Sequence, residues 1–112
     1  MRRALAIAAA TALLAAGAAG AAGGPSVSII DNAFLRGVQR PVVHVRAGTT
    51  VTWRWRSKQS HSVMVRTGPQ RFASPIRNRG VFAHRFTRPG TYRLVCALHA
   101  PGMRMTVVVR GG

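Results

Sequence analysis

A thiol, two imidazoles and a thioether hold most of the chemistry available to this chain. Cys96 is its only cysteine, His99 follows three residues later, and Met103 four residues after that. His61 lies upstream in a segment with strand character. Thiolate, imidazole and thioether form a soft donor set, which selects copper over magnesium, calcium or manganese. Two histidines and a cysteine in a trigonal arrangement, with a weak and distant methionine, suit both copper oxidation states. Neither state needs a ligand added or removed. The residue types and spacing therefore predict one copper ion per chain, held by His61, Cys96, His99 and Met103. Zinc fits less well, because structural zinc sites favour more thiolates and gain little from methionine.

Such donors must be positioned by a rigid frame, since three share one loop and the fourth is remote. The chain reads as short strands separated by turn residues. Ser26 to Ile30 is a first strand, and residues 31 to 41 are looser, with a turn near Gly37. Val42 to Arg46 is a strand, and Thr50 to Arg56 alternates strictly, with Val51, Trp53 and Trp55 on one face. Ser57 to Ser60 reads as a polar connection into a strand that begins at His61. Thr67 to Gly80 reads as a long loop with room for a short helical turn. Strands follow at Val81 to Phe86, Tyr92 to Cys96 and Arg104 to Arg110. Seven or eight short strands and no sustained helical period predict an all-β fold, a Greek-key two-sheet sandwich with antiparallel sheets.

The start of the chain reads as a targeting segment. Met1-Arg2-Arg3 precedes an apolar Ala/Leu/Ile run and the small residues Ala19-Gly20-Ala21, the pattern of a secretory signal peptide. We expect a leader over residues 1–24 and one domain over 25–112, exported to the periplasm, the cell surface or the medium. Export also explains the single cysteine. Oxidising compartments favour paired cysteines, so a lone one beside a histidine and a methionine is best accounted for by a metal.

Charge narrows the chemistry further. Seventeen Lys and Arg face one acid, Asp31, for a formal charge of +16; loss of Arg2 and Arg3 with the leader would leave two fewer, +14. No pair of carboxylates exists for glycosidase-type acid/base catalysis, nor a set of them for calcium or magnesium. A Ser-His-Asp triad would have to use Asp31, which lies in the first segment beside no relevant motif. The basic surface predicts attraction to acidic proteins or anionic envelope surfaces. Export and the lack of a recognisable binding motif argue against nucleic acid.

Residues 25–112 resemble a small cupredoxin of the plastocyanin/amicyanin type. Val45-Arg46-Ala47-Gly48-Thr49-Thr50-Val51-Thr52-Trp53 is similar to that family's strand-Gly-strand-aromatic segment. Pro89-Gly90-Thr91-Tyr92 and Cys96-Ala97-Leu98-His99 are similar to its run into the copper loop, and Met105 to Val109 to its final strand. The resemblance implies His61 and His99 as imidazole ligands, Cys96 as thiolate and Met103 as axial thioether. Met105 is the alternative axial residue, although alignment of the closing strand favours Met103. Ser62 stands where the family often has Asn; its hydroxyl and backbone N–H can still tie the two ligand segments together. His84 and His44 stay outside the expected site, and Trp53 and Trp55 read as core. The implied function is a monomeric one-electron carrier, not an enzyme, serving a redox partner with an acidic docking surface. The alternative from another class is a copper delivery or tolerance protein using the same donors. A third is an envelope-polymer module with a coincidental metal motif.

Overall fold

The structure is a computed structural model that describes residues 23–112. The expected leader, residues 1–24, lies outside the described residues except for its last two positions. Nine strands follow: β1 (Ser26–Ile30), β2 (Ala33–Arg36), β3 (Val38–Gln39), β4 (Val42–Arg46), β5 (Thr49–His61), β6 (Met64–Thr67), β7 (Arg77–Phe86), β8 (Gly90–Val95) and β9 (Arg104–Arg110). They form a five-stranded sheet, β3-β2-β1-β5-β7, and a four-stranded sheet, β4-β9-β8-β6.

Alternation explains which residues fill the space between the sheets. Successive side chains on a strand point to opposite faces. In β4, Val43 and Val45 are buried while Val42, His44 and Arg46 are exposed. Met105, Val107 and Val109 do the same in β9, as do Val51, Trp53 and Trp55 in β5. Trp53 stands at the centre, its ring 6.1, 6.1 and 6.3 Å from those of Phe72, Phe82 and Phe86. Burying each such large apolar side chain contributes about 1.5–3 kcal/mol. Tyr92 closes the far side, its hydroxyl 2.7 Å from the Arg88 carbonyl oxygen.

The all-β sandwich is as the sequence predicts, but several details differ. The sheets are mixed, because β1 runs parallel to β5 and β4 parallel to β9. The chain crosses repeatedly between the sheets, so strands distant in sequence become neighbours and need not alternate in direction. The looser stretch at 31–41 contains the small β2–β3 pair, turned at Gly37 with φ 76°. β5 does not stop at Arg56. Its polar end continues to His61 through an irregularity opposite β7, where Arg56 pairs with Arg79 and His61 with Arg77. His61 thus ends a strand and does not begin one. The loop before β7 has no helical turn; it is held by a bridge from Ala73 to Met64 and by Ser74, which bonds Val63 in both directions.

Three pairings set up one end of the sandwich. β1 alongside β5 (Ile29 opposite Trp55) brings the residues after β1 towards the end of β5. β6 alongside β8 (Met64 opposite Val95) brings Ser62 beside Cys96. β8 alongside β9 (Val95 opposite Arg104) closes the Cys96–Met103 loop between adjacent strands.

Candidate metal centre

The loop from Cys96 to Met103 folds back on itself through backbone bonds. The Cys96 N–H donates to the Met103 carbonyl (3.0 Å), the His99 N–H to the Cys96 carbonyl (3.2 Å), and the Met103 N–H to the His99 carbonyl (3.1 Å). These bonds turn the Cys96 and His99 side chains toward the end of β5, where His61 waits. The three form a compact cluster. His61 Nδ1 lies 3.2 Å from His99 Nδ1, Cys96 Sγ lies 3.5 Å from His99 Nδ1, and 3.8 Å from His61 Nδ1.

That triangle has the size a transition-metal ion requires. With metal–nitrogen and metal–sulfur bonds of about 2.0 and 2.3 Å, donors 120° apart stand ~3.5 Å (N to N) and ~3.7 Å (N to S) from one another. The observed separations match within a few tenths of an ångström, so these residues fit a trigonal ion without rearrangement. His61 and Cys96 are fully buried, and His99 is partly exposed. The cluster therefore has one face toward solvent.

Two of the donors are held from behind, His61 by Asp31 and Cys96 by the Ser62 N–H. Sequence reasoning set Asp31 aside as lying beside no motif, and here the structure corrects it. Asp31 Oδ1 is 3.0 Å from His61 Nε2. A carboxylate can only accept, so Nε2 carries the proton and Nδ1 keeps its lone pair for the cluster. The same carboxylate accepts the backbone N–H groups of Lys58 (3.1 Å) and Gln59 (3.0 Å). Its bond to His61, followed by those to Gln59 and Lys58, lowers its pKa from 3.8 to about 2. Trp55 adds a further anchor, because its indole N–H donates to the His61 carbonyl at 2.9 Å.

Ser62 performs the bridging expected of it. Its hydroxyl accepts the Ala97 N–H at 3.1 Å, and its own N–H points at Cys96 Sγ from 3.4 Å. An N–H directed at the sulfur stabilises negative charge there. The two methionines have different surroundings. Both are buried, but the Met105 thioether faces the core and accepts the Trp53 indole N–H at 3.3 Å. Met103 ends the Cys96–Met103 loop and makes backbone bonds with Cys96 and His99.

The remaining histidines lie elsewhere. His44 is exposed on β4, and His84 stacks on Phe72 with ring centroids 3.9 Å apart. The missed residue is Asp31. The one signal that could have found it is that a lone acid in a chain of this charge needs a specific partner.

No family model matches the chain. It is 37% identical over 115 residues to amicyanin-alpha of Methylorubrum extorquens, covering 95% of this chain and 92% of that protein. Among solved structures it is similar to a reduced amicyanin variant, with 30% identity, a TM-score of 0.63, and coverage of 80% of this chain and 85% of that one. A Cu(I) form of another amicyanin variant gives 30% identity and a TM-score of 0.64, covering 83% of this chain and 88% of that one. A copper-containing nitrite reductase from Thermus scotoductus gives 25% identity and a TM-score of 0.63 over 78% of this chain. There the chain spans only 22% of the enzyme's length. With more than a third of its residues identical across nearly its whole length, the chain belongs to the amicyanin family of cupredoxins.

Proposed function

We propose that His61 Nδ1, Cys96 Sγ and His99 Nδ1 would hold one copper ion, with Met103 as the weaker fourth donor. Membership of the amicyanin family makes the protein a type 1 copper electron carrier. When bound, the metal supplies a reversible one-electron couple. The protein's own residues supply the geometry. Asp31 fixes the His61 tautomer, Ser62 ties the two ligand segments together, and the loop bonds hold Cys96 and His99 in place. The observation that carries this reading is the triangle of donors 3.2 to 3.8 Å apart, with one corner exposed. Engagement of Met105 by Trp53 supports Met103, not Met105, as the methionine that would join them.

Electrons enter and leave through His99 in this reading. Ala97, Leu98, Ala100 and Pro101 surround it and are exposed, with Leu98 at 53%, so a partner meets a small apolar patch with an imidazole at its centre. The protein works as a monomer that makes and breaks no substrate bond. Residues 1–24 are its leader, residues 25–112 its functional domain, and the periplasm or cell surface its place of work. Its positive charge steers an acidic redox partner towards it.

The visible spectrum of the copper-loaded protein tests the site. We expect intense blue colour from thiolate-to-copper charge transfer, abolished in Cys96→Ala. A colourless copper complex, or colour that survives the substitution, would overturn the ligand assignment. Affinity for Cu(I) without reversible voltammetry would favour copper delivery over electron transfer. Steering is tested separately: partner reduction rates that ignore ionic strength would remove the role given to the surface charge.

A further inference from the structure

A cavity of about 270 Å³ opens on the four-stranded sheet, bordered on one side by Pro101 of the Cys96–Met103 loop. Four arginines line it, and they come from four different segments: Arg40 before β4, Arg66 on β6, Arg93 on β8 and Arg104 on β9. The hydroxyl-bearing Thr67 and Thr106 lie among them, and Pro101 of the ligand loop forms part of the wall. All four arginines are exposed enough to reach a solute. The Arg40 Nε–H donates to the Gly102 carbonyl at 3.3 Å, which pins this side chain against the loop.

The charges in this cavity have no internal partner. Asp31 is the chain's single acidic side chain, and it is committed to His61. Sheet pairing places Arg93 opposite Thr106 and Arg104 opposite Val95, so the two guanidinium groups sit on neighbouring strands, one diagonal step apart. Like charges so placed repel one another. Concave walls with donors converging from several strands concentrate the field further. A flat basic face would repel cations equally well without a cavity. Here four arginines and two threonines instead share the lining of a space, with an apolar floor at Leu94, Val95 and Met105, near the lower end of the size range for small-molecule pockets. Arginine forks match phosphate and carboxylate oxygens in pairs.

We propose that this cavity binds one small multivalent oxyanion, bearing phosphate or carboxylate groups, between Arg40, Arg66, Arg93 and Arg104. Its position has a consequence for the metal centre, which rests on the ligand set proposed above. Val95 immediately precedes Cys96, and Arg104 immediately follows Met103. Negative charge added here favours the more positive, oxidised metal. By reciprocity, the oxidised protein binds the anion more tightly than the reduced protein does.

Calorimetric titration of the metal-free chain at constant ionic strength tests the site alone. Inorganic diphosphate and citrate are the probes, and the tighter of the two identifies the phosphate or carboxylate class. We expect saturable 1:1 binding, weakened about a hundredfold in the double variant Arg93→Gln/Arg104→Gln, since each of the two lost charge-assisted bonds is worth about tenfold. The control Arg54→Gln/Arg56→Gln removes the same charge from β5, outside the cavity, and should leave affinity within about twofold. Equal losses in both variants would show a diffuse field and overturn the site. So would multiple weak equivalents or no saturation. Voltammetry of the copper-loaded protein then tests the coupling: diphosphate should lower the midpoint in the parent and leave it unmoved in Arg93→Gln/Arg104→Gln. A midpoint indifferent to diphosphate in the parent would overturn the coupling. Because the first titration contains no metal, failure of the copper assignment and failure of the anion site are read in different tubes.

Discussion

His61 and His84 lie on paired strands of the same sheet, and both give up water, but their surroundings solve that problem in opposite ways. His61, at the end of β5, is fully buried, with a carboxylate at Nε2 and a thiol and second imidazole at Nδ1. His84, within β7, is covered by Phe72 at 3.9 Å and meets Phe86 edge-on at 4.8 Å. Its Nε2 is buried without a hydrogen-bond partner. Burial pushes the His84 pKa below its ordinary 6.5, because nothing beside it offsets the loss of water. Burial alone therefore does not make a ligand. Of these two rings, only His61 has a nitrogen aimed at other metal-binding donors, and there Asp31 holds the opposite nitrogen.

The largest expected effect separates the two by colour. His61→Ala removes one corner of the donor triangle and should abolish the blue absorption of the copper-loaded protein. His84→Ala should keep that absorption and lose the stacking on Phe72, lowering stability by about 1 kcal/mol in a thermal melt. If His84→Ala bleached the protein, or His61→Ala left it blue, the contrast between the two rings would fail.

Asp31 should show the next largest effect. Removing the group that orients a ligating histidine typically costs about 10–100-fold in metal affinity. Asp31→Ala is expected in that range, and Asp31→Asn less, because its amide oxygen can still accept from Nε2. Competition with a colorimetric chelator measures both. Nitrogen NMR of the metal-free chain provides a second reading, since His61 should hold its proton on Nε2 in the parent and lose that preference in Asp31→Ala. An unchanged tautomer would mean that the carboxylate serves only the Lys58 and Gln59 amides.

Much of this site was legible because its parts are local or periodic. Cys96 and His99 of the cluster stand three residues apart, and the alternation through Trp53 and Trp55 points to a strand leading towards His61. Ser62 was readable as a bridge because it adjoins a ligand. Asp31 was not, being 30 residues from His61, and its contact exists only because β1 lies parallel to β5. Side-chain period reveals which face of a strand is buried but not which strand lies next to it. The same gap hid the parallel pairings, and the polar composition of Ser57–Ser60 masked the continuation of β5. There the exposed residues belong to a strand that keeps pairing with β7 past an irregularity. The arginine cavity was invisible for a related reason, since its four side chains come from segments spread over 65 residues of chain, 40 to 104.

The smallest effects concern pH, and they place the two histidine environments in different windows. In the metal-free protein, the Asp31 pKa is lowered from 3.8 to about 2, so the fold favours its charged form. The stability this lends is complete above 3.8 and is lost as pH falls towards 2, where the carboxylate protonates and releases His61. His84 lies in the upper window. The fold favours its neutral ring, so stability from this source is complete above 6.5 and declines as pH drops below that value, where the unfolded chain gains a proton first. His84→Phe keeps an aromatic ring against Phe72 and removes the titrating group. Thermal midpoints of the metal-free chain between pH 7 and 5 should therefore fall less steeply in His84→Phe than in the parent. Asp31→Asn should flatten only the decline below pH 4. Equal slopes for His84→Phe and the parent between pH 7 and 5 would mean that the unpartnered ring is hydrated, and that its isolation from water does not distinguish it from His61.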